Sequence, residues 1–307
     1  MFAKEEKMNI QRIAVPTDFS EDAHEALRYA AVLARAEGAA LSVVHIVETF
    51  PFVAERNKHD AHSLVEREVQ AAREHIQRDI EPFAAQQVVI EPVVLTGKPK
   101  RELLRFLQHH DIDLVVLGTH GHGLIERMIW GSVTEHLMRT SPCPTLTINT
   151  ALTRRSAEHL RHILVPTDFS GHSERAWQYA LKLGQRRSST LHLVHVIEPM
   201  VMVNEFSTVP VADDEEHDAK AREGARDLLA PFVAEAEELG LAVQTAVLKG
   251  YTDIELALYM RQHNIDLVCV GAYGKRGFEK FVLGSTTERV LKASLCPVLV
   301  VRPPTNS

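Results

Sequence analysis

The chain has 307 residues, 45% of them hydrophobic and 24% charged, the balance of a globular protein long enough for two ordinary domains. A formal net charge of −7 argues against non-specific nucleic-acid binding as the main activity. Three cysteines (Cys143, Cys269, Cys296) with no C-x-x-C pair, no signal-like stretch in MFAKEEKMNI and no apolar window of membrane-spanning length point to a reduced, cytoplasmic protein with no membrane partner.

Arg12 to Val15 reads as a short strand ended by Pro16. Ser20 then stands as a helix N-cap, with Glu21 and Asp22 in the first turn. Ala23, Ala26, Leu27, Ala30, Leu33 and Ala34 follow at helical spacing. Leu41 to Val47 is β-branched and strand-like. Asn57 to about Ala85 is helical, bent or ended by Pro82. Val88 to Leu95 is a third strand and Lys100 to His110 a third helix. Leu114 to Leu117 is apolar throughout, as in a strand covered on both faces. Gly131 to Thr140 is a short helix and Pro144 to Ile148 a last strand. Alternation of this kind predicts an α/β domain with a five-stranded, mostly parallel, doubly wound, Rossmann-like sheet flanked by helices.

The second half repeats the first. Pro16-Thr17-Asp18-Phe19-Ser20 recurs as Pro166-Thr167-Asp168-Phe169-Ser170, and His45 recurs as His195. The run His110 to Gly118 recurs as His263 to Gly271, with the register slipping near Gln86 and Gly240, where a helix-to-strand turn tolerates a change of length. Two tandem domains are therefore expected, over residues 1–150 and 160–307, with a polar linker at about 149–161.

In such sheets ligands bind outside the carboxyl ends of the strands, at the switch in strand order. Three repeated elements point there. The first is the turn after strand one, Pro16-Thr17-Asp18 and Pro166-Thr167-Asp168. The second is the end of strand two, His45-Ile46 and His195-Val196. The third follows strand four: Gly118-x-x-Gly121, then nine residues to Gly131-Ser132-Val133, and Gly271-x-x-Gly274, then nine residues to Gly284-Ser285-Thr286. Glycines let backbone approach a ligand, and a helix start offers free N–H groups to an anion. Against this, Ser132 and Ser285 each precede an acidic residue by three, Glu135 and Glu288, and so fit a purely structural capping box. The spacing, present twice, favours a phosphate-containing ligand.

Other readings are weaker. No P-loop, no dinucleotide fingerprint after strand one and no nucleophile elbow occurs. Asp18 and Asp168 have no local carboxylate partner, so a binding contact or a turn cap fits them better than catalysis. His120-x-His122 is the best local metal pair among 17 histidines, but Tyr273 and Lys275 replace it in the second half, so no metal ligand is expected. Arg127, Lys275, Arg276 and Lys280 lie in the nine-residue loops, either approaching phosphates or simply solvated. Asp213-Asp214-Glu215-Glu216 reads as a solvated helix start.

These motifs resemble the universal stress protein family in its tandem form, from about Ile10 to Arg302. The family's ATP-binding pattern, G-x2-G-x9-G-[ST], is present twice. The resemblance implies that Pro16, Thr17, Asp18 and the backbone at Ile46 touch an adenosine. It implies that Gly118 and Gly121 line ribose and phosphates, and that Gly131, Ser132 and Val133 hold the phosphates. In the second half Pro166, Thr167, Asp168, Val196, Gly271, Gly274, Gly284, Ser285 and Thr286 take those places. The implied cofactor is ATP, with ADP or AMP as alternatives and Mg2+ as companion. The resemblance also implies pairing of the last strands, Thr145 to Ile148 and Val298 to Val301, within one chain, or a homodimer. Trp130 stands where Leu283 stands in the second half, placed to narrow the first pocket. The expected function is a nucleotide-binding stress-response module. A slow ATPase or phosphotransferase, and a nucleotide-independent interaction module, are the alternatives. No side chain is assigned as a base or nucleophile.

Overall fold

A computed structural model describes residues 10–49, 58–86, 88–119, 130–149, 160–199, 201–204, 207–210, 215–273 and 283–302. They form two compact units, parted between Glu158 and His159.

In the first unit, β1 (Arg12–Pro16), α1 (Glu21–Glu37), β2 (Ala40–Glu48), α2 (Lys58–Ile80), β3 (Ile90–Gly97), α3 (Pro99–His109), β4 (Leu114–Gly118), α4 (Ser132–Thr140) and β5 (Thr145–Ile148) follow in order. The strands stand in the sequence β3-β2-β1-β4-β5, all parallel. The order reverses between β1 and β4, whose register pairs Ile13 with Leu114. That reversal opens a crevice at the carboxyl ends of the two strands, beside Pro16 and Gly118. Ile13, Ala14 and Val15 on β1 and Leu114, Val115, Val116 and Leu117 on β4 are buried, as continuous apolar strands between helices should be.

Local chemistry sets the element ends. Ser20 caps α1, its Oγ accepting from the Ala23 N–H at 3.3 Å, and Gly38 closes it in the left-handed region at φ 66°. α2 stops before Pro82, and Glu81–Gln86 continues as a 3-10 turn. Asp113 explains part of the repeated run: its Oδ2 accepts from the Gln11 and Arg12 N–H groups at 2.8 and 2.9 Å. That carboxylate ties the start of β1 to the chain entering β4.

The second unit contains β6 (His162–Pro166), α5 (Gly171–Arg187), β7 (Thr190–Ile197), β8 (Val201–Asn204), β9 (Ser207–Pro210), α6 (Glu215–Glu238), β10 (Val243–Lys249), α7 (Thr252–Gln262), β11 (Leu267–Gly271), α8 (Ser285–Ala293) and β12 (Val298–Val301). Its parallel order β10-β7-β6-β11-β12 repeats the first. Asp266 repeats the tie of Asp113, accepting from Arg161 and His162 N–H groups.

β8 and β9 form an antiparallel pair that the repeat does not predict. Pro231 lies inside α6 without ending it, whereas its partner Pro82 follows the end of α2. Glu215 and Glu216, from the acidic run, open α6 on its exposed side. Among the described residues no helix is long and apolar enough to cross a membrane.

Candidate functional site

The site is built at the two switch points. In the first unit the chain leaves β1 through Thr17, whose N–H donates to the Val44 carbonyl at 2.9 Å. Thr17 Oγ1 accepts from the Phe19 N–H at 3.0 Å, and Asp18 Oδ1 accepts from the Ser20 N–H at 3.1 Å. These two side-chain turns hold Phe19 at φ 64°, a left-handed conformation that is costly for an aromatic residue. His45, near the end of β2, donates from Nδ1 to the Thr17 carbonyl at 2.8 Å, and its ring lies 4.4 Å from that of Phe19.

The second unit repeats the turn bond for bond. Thr167 and Asp168 accept from the N–H groups of Phe169 and Ser170, both at 3.0 Å. Phe169 sits at φ 59°. His195 Nδ1 donates to the Thr167 carbonyl at 2.8 Å. Asp18 and Asp168 are thus turn-forming residues at the mouth of the crevice. The histidines were legible as part of the repeated end of strand two, but the left-handed backbone of the two phenylalanines was not. The repeat Pro-Thr-Asp-Phe-Ser carried the signal, since a Thr-Asp pair is suited to consecutive side-chain turns.

The glycine segments start and finish at one place. Gly118 ends β4, and the Gly131 N–H returns to the Thr119 carbonyl at 2.8 Å. Thr134 Oγ1 donates to the Gly118 carbonyl at 2.8 Å. In the second unit Gly284 N–H reaches the Ala272 carbonyl at 2.9 Å, and Thr287 Oγ1 the Gly271 carbonyl at 2.6 Å. Each segment is thereby closed at its base, next to the end of β1 or β6. Gly121, Gly274, His120, His122, Arg127, Lys275, Arg276 and Lys280 lie outside the described residues.

One expectation needs correction. Ser132 and Ser285 do not cap their helices. Gly131 and Gly284 occupy the N-cap position, with φ near −63° and −62° and no side-chain cap bond. The serines are the first helical residues, and both are exposed. A residue inside the first turn has helical backbone, so its hydroxyl cannot reach the N–H three residues on as a cap does. Gly118 and Gly271 have a packing role that the spacing did not reveal. A Cβ on Gly118 would stand 2.7 Å from the backbone carbon and oxygen of Asp22, and one on Gly271 would stand 2.6 Å from the His172 oxygen. These glycines admit the first turn of α1 and α5 onto the strand end.

Of the remaining expected residues, Ile46 is buried near the end of β2 and Val196 half-buried at the matching place on β7. Pro16, Thr17, Asp18, Gly118, Gly131, Ser132 and Val133 all fall at the carboxyl end of their sheet. Pro166, Thr167, Asp168, Gly271, Gly284, Ser285 and Thr286 do the same. Trp130 and Leu283 are both buried, at 9% and 5% exposure.

The units differ in charge beside the crevice. Asp22, buried, accepts from Thr119 Oγ1 at 3.2 Å. Its counterpart is His172, edge-on to Tyr273 at 5.4 Å. The Tyr273 hydroxyl also bonds Arg302, whose guanidinium lies 5.2 Å from the ring centre. Burial lowers the His172 pKa, as does the charge of Arg175, while Asp168 opposes both. The first unit thus has a carboxylate where the second has an imidazole.

The family model described as "Universal stress protein family" matches residues 9–149 and again 159–302. A universal stress protein of Methanocaldococcus jannaschii is 31% identical over 152 residues, covering 49% of this chain and 87% of its own length. One from Mycolicibacterium smegmatis is 26% identical over 306 residues, covering 95% of this chain and 97% of its own. The crystal structure of a universal stress protein from Archaeoglobus fulgidus superimposes with a TM-score of 0.69 at 20% identity, over 95% of this chain and 98% of that one, a likeness of fold. The doubly wound units, their shared switch-point turns and the paired family matches place the chain in the universal stress protein family, in its tandem form.

Proposed function

We propose that each unit binds an adenine nucleotide, ATP foremost, in the crevice at its switch point. On this reading the chain serves as a cytoplasmic stress-response module whose conformation or partners change with the nucleotide. The observation that carries the reading is the state of Ser132 and Ser285. Each is exposed at the first position of a helix, beyond a glycine cap, with its hydroxyl not used to cap that helix. The helix start supplies N–H groups and the positive end of the dipole to an anion. The dipole alone contributes about 0.3–1 kcal/mol at an exposed site, so several N–H groups and the hydroxyl must act together.

In this reading Gly131, Ser132 and Val133 hold the phosphates in the first unit, and Gly284, Ser285 and Thr286 in the second. Gly118 and Gly121, and in the second unit Gly271 and Gly274, line ribose and phosphates. Pro16, Thr17, Asp18 and the backbone at Ile46 face the nucleoside, as do Pro166, Thr167, Asp168 and Val196. His45 and His195 position the Thr17 and Thr167 carbonyls. The use of Asp18 and Asp168 as turn formers supports binding over hydrolysis, because a carboxylate engaged with a backbone N–H is a poorer base. Affinity need not be high: a millimolar Kd is only about −4 kcal/mol.

Calorimetry on ligand-stripped protein tests the proposal, with ATP, ADP and AMP as titrants and Mg2+ present or absent. Binding is expected, and Ser285→Ala and Gly284→Val are expected to remove the contribution of the second unit. Absence of heat with every nucleotide would sink the reading.

A further inference from the structure

We propose that the first unit also binds a divalent transition-metal ion, zinc foremost, between His24, His75 and Asp79. His24 lies in the first turn of α1. His75 and Asp79 lie one turn apart on α2, on the same helix face. Their candidate ligand atoms all fall within 4.8 Å of one another. His24 Nε2 is 3.0 Å from Asp79 Oδ2, and His75 Nε2 is 4.0 Å from Asp79 Oδ1.

The hydrogen bonding around His24 asks for a cation. Its Nδ1 lies 2.7 Å from the Ser20 carbonyl oxygen, which can only accept, so Nδ1 carries a proton. A neutral ring then presents the Nε2 lone pair to the Asp79 carboxylate, which is also an acceptor. Two acceptors at 3.0 Å repel unless a second proton or a metal ion lies between them. The same Nδ1–H···O=C bond is the support that metal-bound histidines characteristically have, because it fixes the tautomer and the ring direction.

The spacing suits the ion. With ligand bonds of about 2.0–2.2 Å in a tetrahedron, neighbouring ligand atoms lie about 3.3–3.6 Å apart; each imidazole stands within a few tenths of an ångström of that range from one Asp79 oxygen, His24 from Oδ2 and His75 from Oδ1. Two imidazoles and one carboxylate favour zinc, cobalt, nickel or copper over magnesium or calcium. Three protein ligands leave a position for water. All three side chains are half-buried, so solvent can deliver the ion.

The site belongs to one unit only. Glu174 stands where His24 does, and counting back from Pro82-Phe83 and Pro231-Phe232, Gly224 and Leu228 stand where His75 and Asp79 do. It also abuts the strained turn. The Phe19 ring stacks on His75 with centres 4.0 Å apart and planes 7° from parallel. A bound ion would therefore clamp α2 to α1 beside that turn.

Cobalt(II) replaces zinc with a visible spectrum. The full chain, stripped with a chelator and free of nucleotide, is titrated with Co2+ and then with Zn2+. Expected are d–d bands saturating at one Co2+ per chain and bleaching when Zn2+ displaces it. His75→Gln should weaken binding by at least the roughly 10–100-fold that loss of a supporting partner costs. Asp79→Asn should do the same, and the His120→Gln/His122→Gln pair should leave binding unchanged. His75 has 41% of its side chain exposed, so its substitution leaves the fold intact even where Asp79→Asn does not. No d–d band in the wild-type chain would show that His24 and Asp79 form only a protonated ion pair, and would overturn the proposal. So would bands that survive His75→Gln, or a thiolate charge-transfer band placing the ion on cysteine. Because nucleotide is absent, the result stands apart from the nucleotide reading.

Discussion

Replacing Gly271 with alanine distinguishes packing from ligand contact at the glycine that ends β11. The added Cβ would lie 2.6 Å from the His172 oxygen and 2.7 Å from its carbonyl carbon. Ordinary contact begins at 3.4 Å, so the first turn of α5 must retreat by about 0.7–0.8 Å, or the β11 end must move. Neither yields easily. The turn is pinned by the Ser170–Ser173 capping box and by Ser173 Oγ against Thr167 Oγ1 at 3.1 Å. The opposing atoms are backbone and cannot rotate away. Overpacking of this kind costs about 1–3 kcal/mol. With a urea slope of about 2 kcal/mol/M for a domain of this size, the midpoint should fall by about 0.5–1.5 M.

The chain offers its own reporter. It has two tryptophans, Trp130 in the first unit and the fully buried Trp177 in the second. In a Trp130→Phe background, Trp177 fluorescence follows urea unfolding of the second unit alone. Gly171→Ala is the control: its Cβ meets nothing within 4 Å, so the midpoint should move little. An unchanged midpoint for Gly271→Ala together with lost nucleotide binding would refute the reasoning, because the glycine would then exist for the ligand.

Three further predictions follow from individual contacts. Thr287→Val removes the buried hydroxyl that donates to the Gly271 carbonyl; it should destabilise the second unit by about 1–2 kcal/mol, read by the same fluorescence, and weaken nucleotide through the opened loop base. Asp22→Asn removes a carboxylate at the start of the first glycine segment. Two like charges about 10 Å apart repel by about 1–2 kcal/mol at an effective dielectric of about 20, so phosphate affinity in the first unit should rise up to about tenfold, and unchanged calorimetric affinity would refute this. His192 is buried against His162 Nδ1 and the Tyr259 hydroxyl, both at 3.0 Å. Burial first, then the charges of His162 and His263, lower its pKa from 6.5 to about 4. The unfolded chain therefore takes up the proton first as pH falls. The second unit should keep its full stability above pH 6.5 and lose up to about 3 kcal/mol as pH drops to 4. In urea titrations across that range the loss should shrink in His192→Gln, and a profile identical to wild type would count against it.

Much of the molecule was legible in the order of residues. The alternation of apolar runs with helical periods implied the doubly wound units, because a fully apolar strand must be covered on both faces. The exact repeat of Pro-Thr-Asp-Phe-Ser, and of the glycine spacing, marked both switch points, because local turns and helix starts are written in neighbouring residues. Pro82 and Pro231 show the limit of that. The same residue follows one helix and lies inside another, since packing of the surrounding helix decides whether a lost backbone bond is tolerated.

What tertiary structure alone decided involves residues distant in the chain. Only the fold brings Asp22 against Gly118 and His172 against Gly271, and so reveals that these glycines make room for a helix. Only the register of α4 and α8 moves the cap from Ser132 and Ser285 to the preceding glycines. His24 lies 51 positions from His75, and no local spacing connects them until α1 and α2 pack together. Residue order determines the elements and their repeats, because hydrophobic period and turn chemistry act over a few residues. The charge beside each crevice and the His-His-Asp cluster depend on contacts between elements, and those exist only once the sheet has set its strand order.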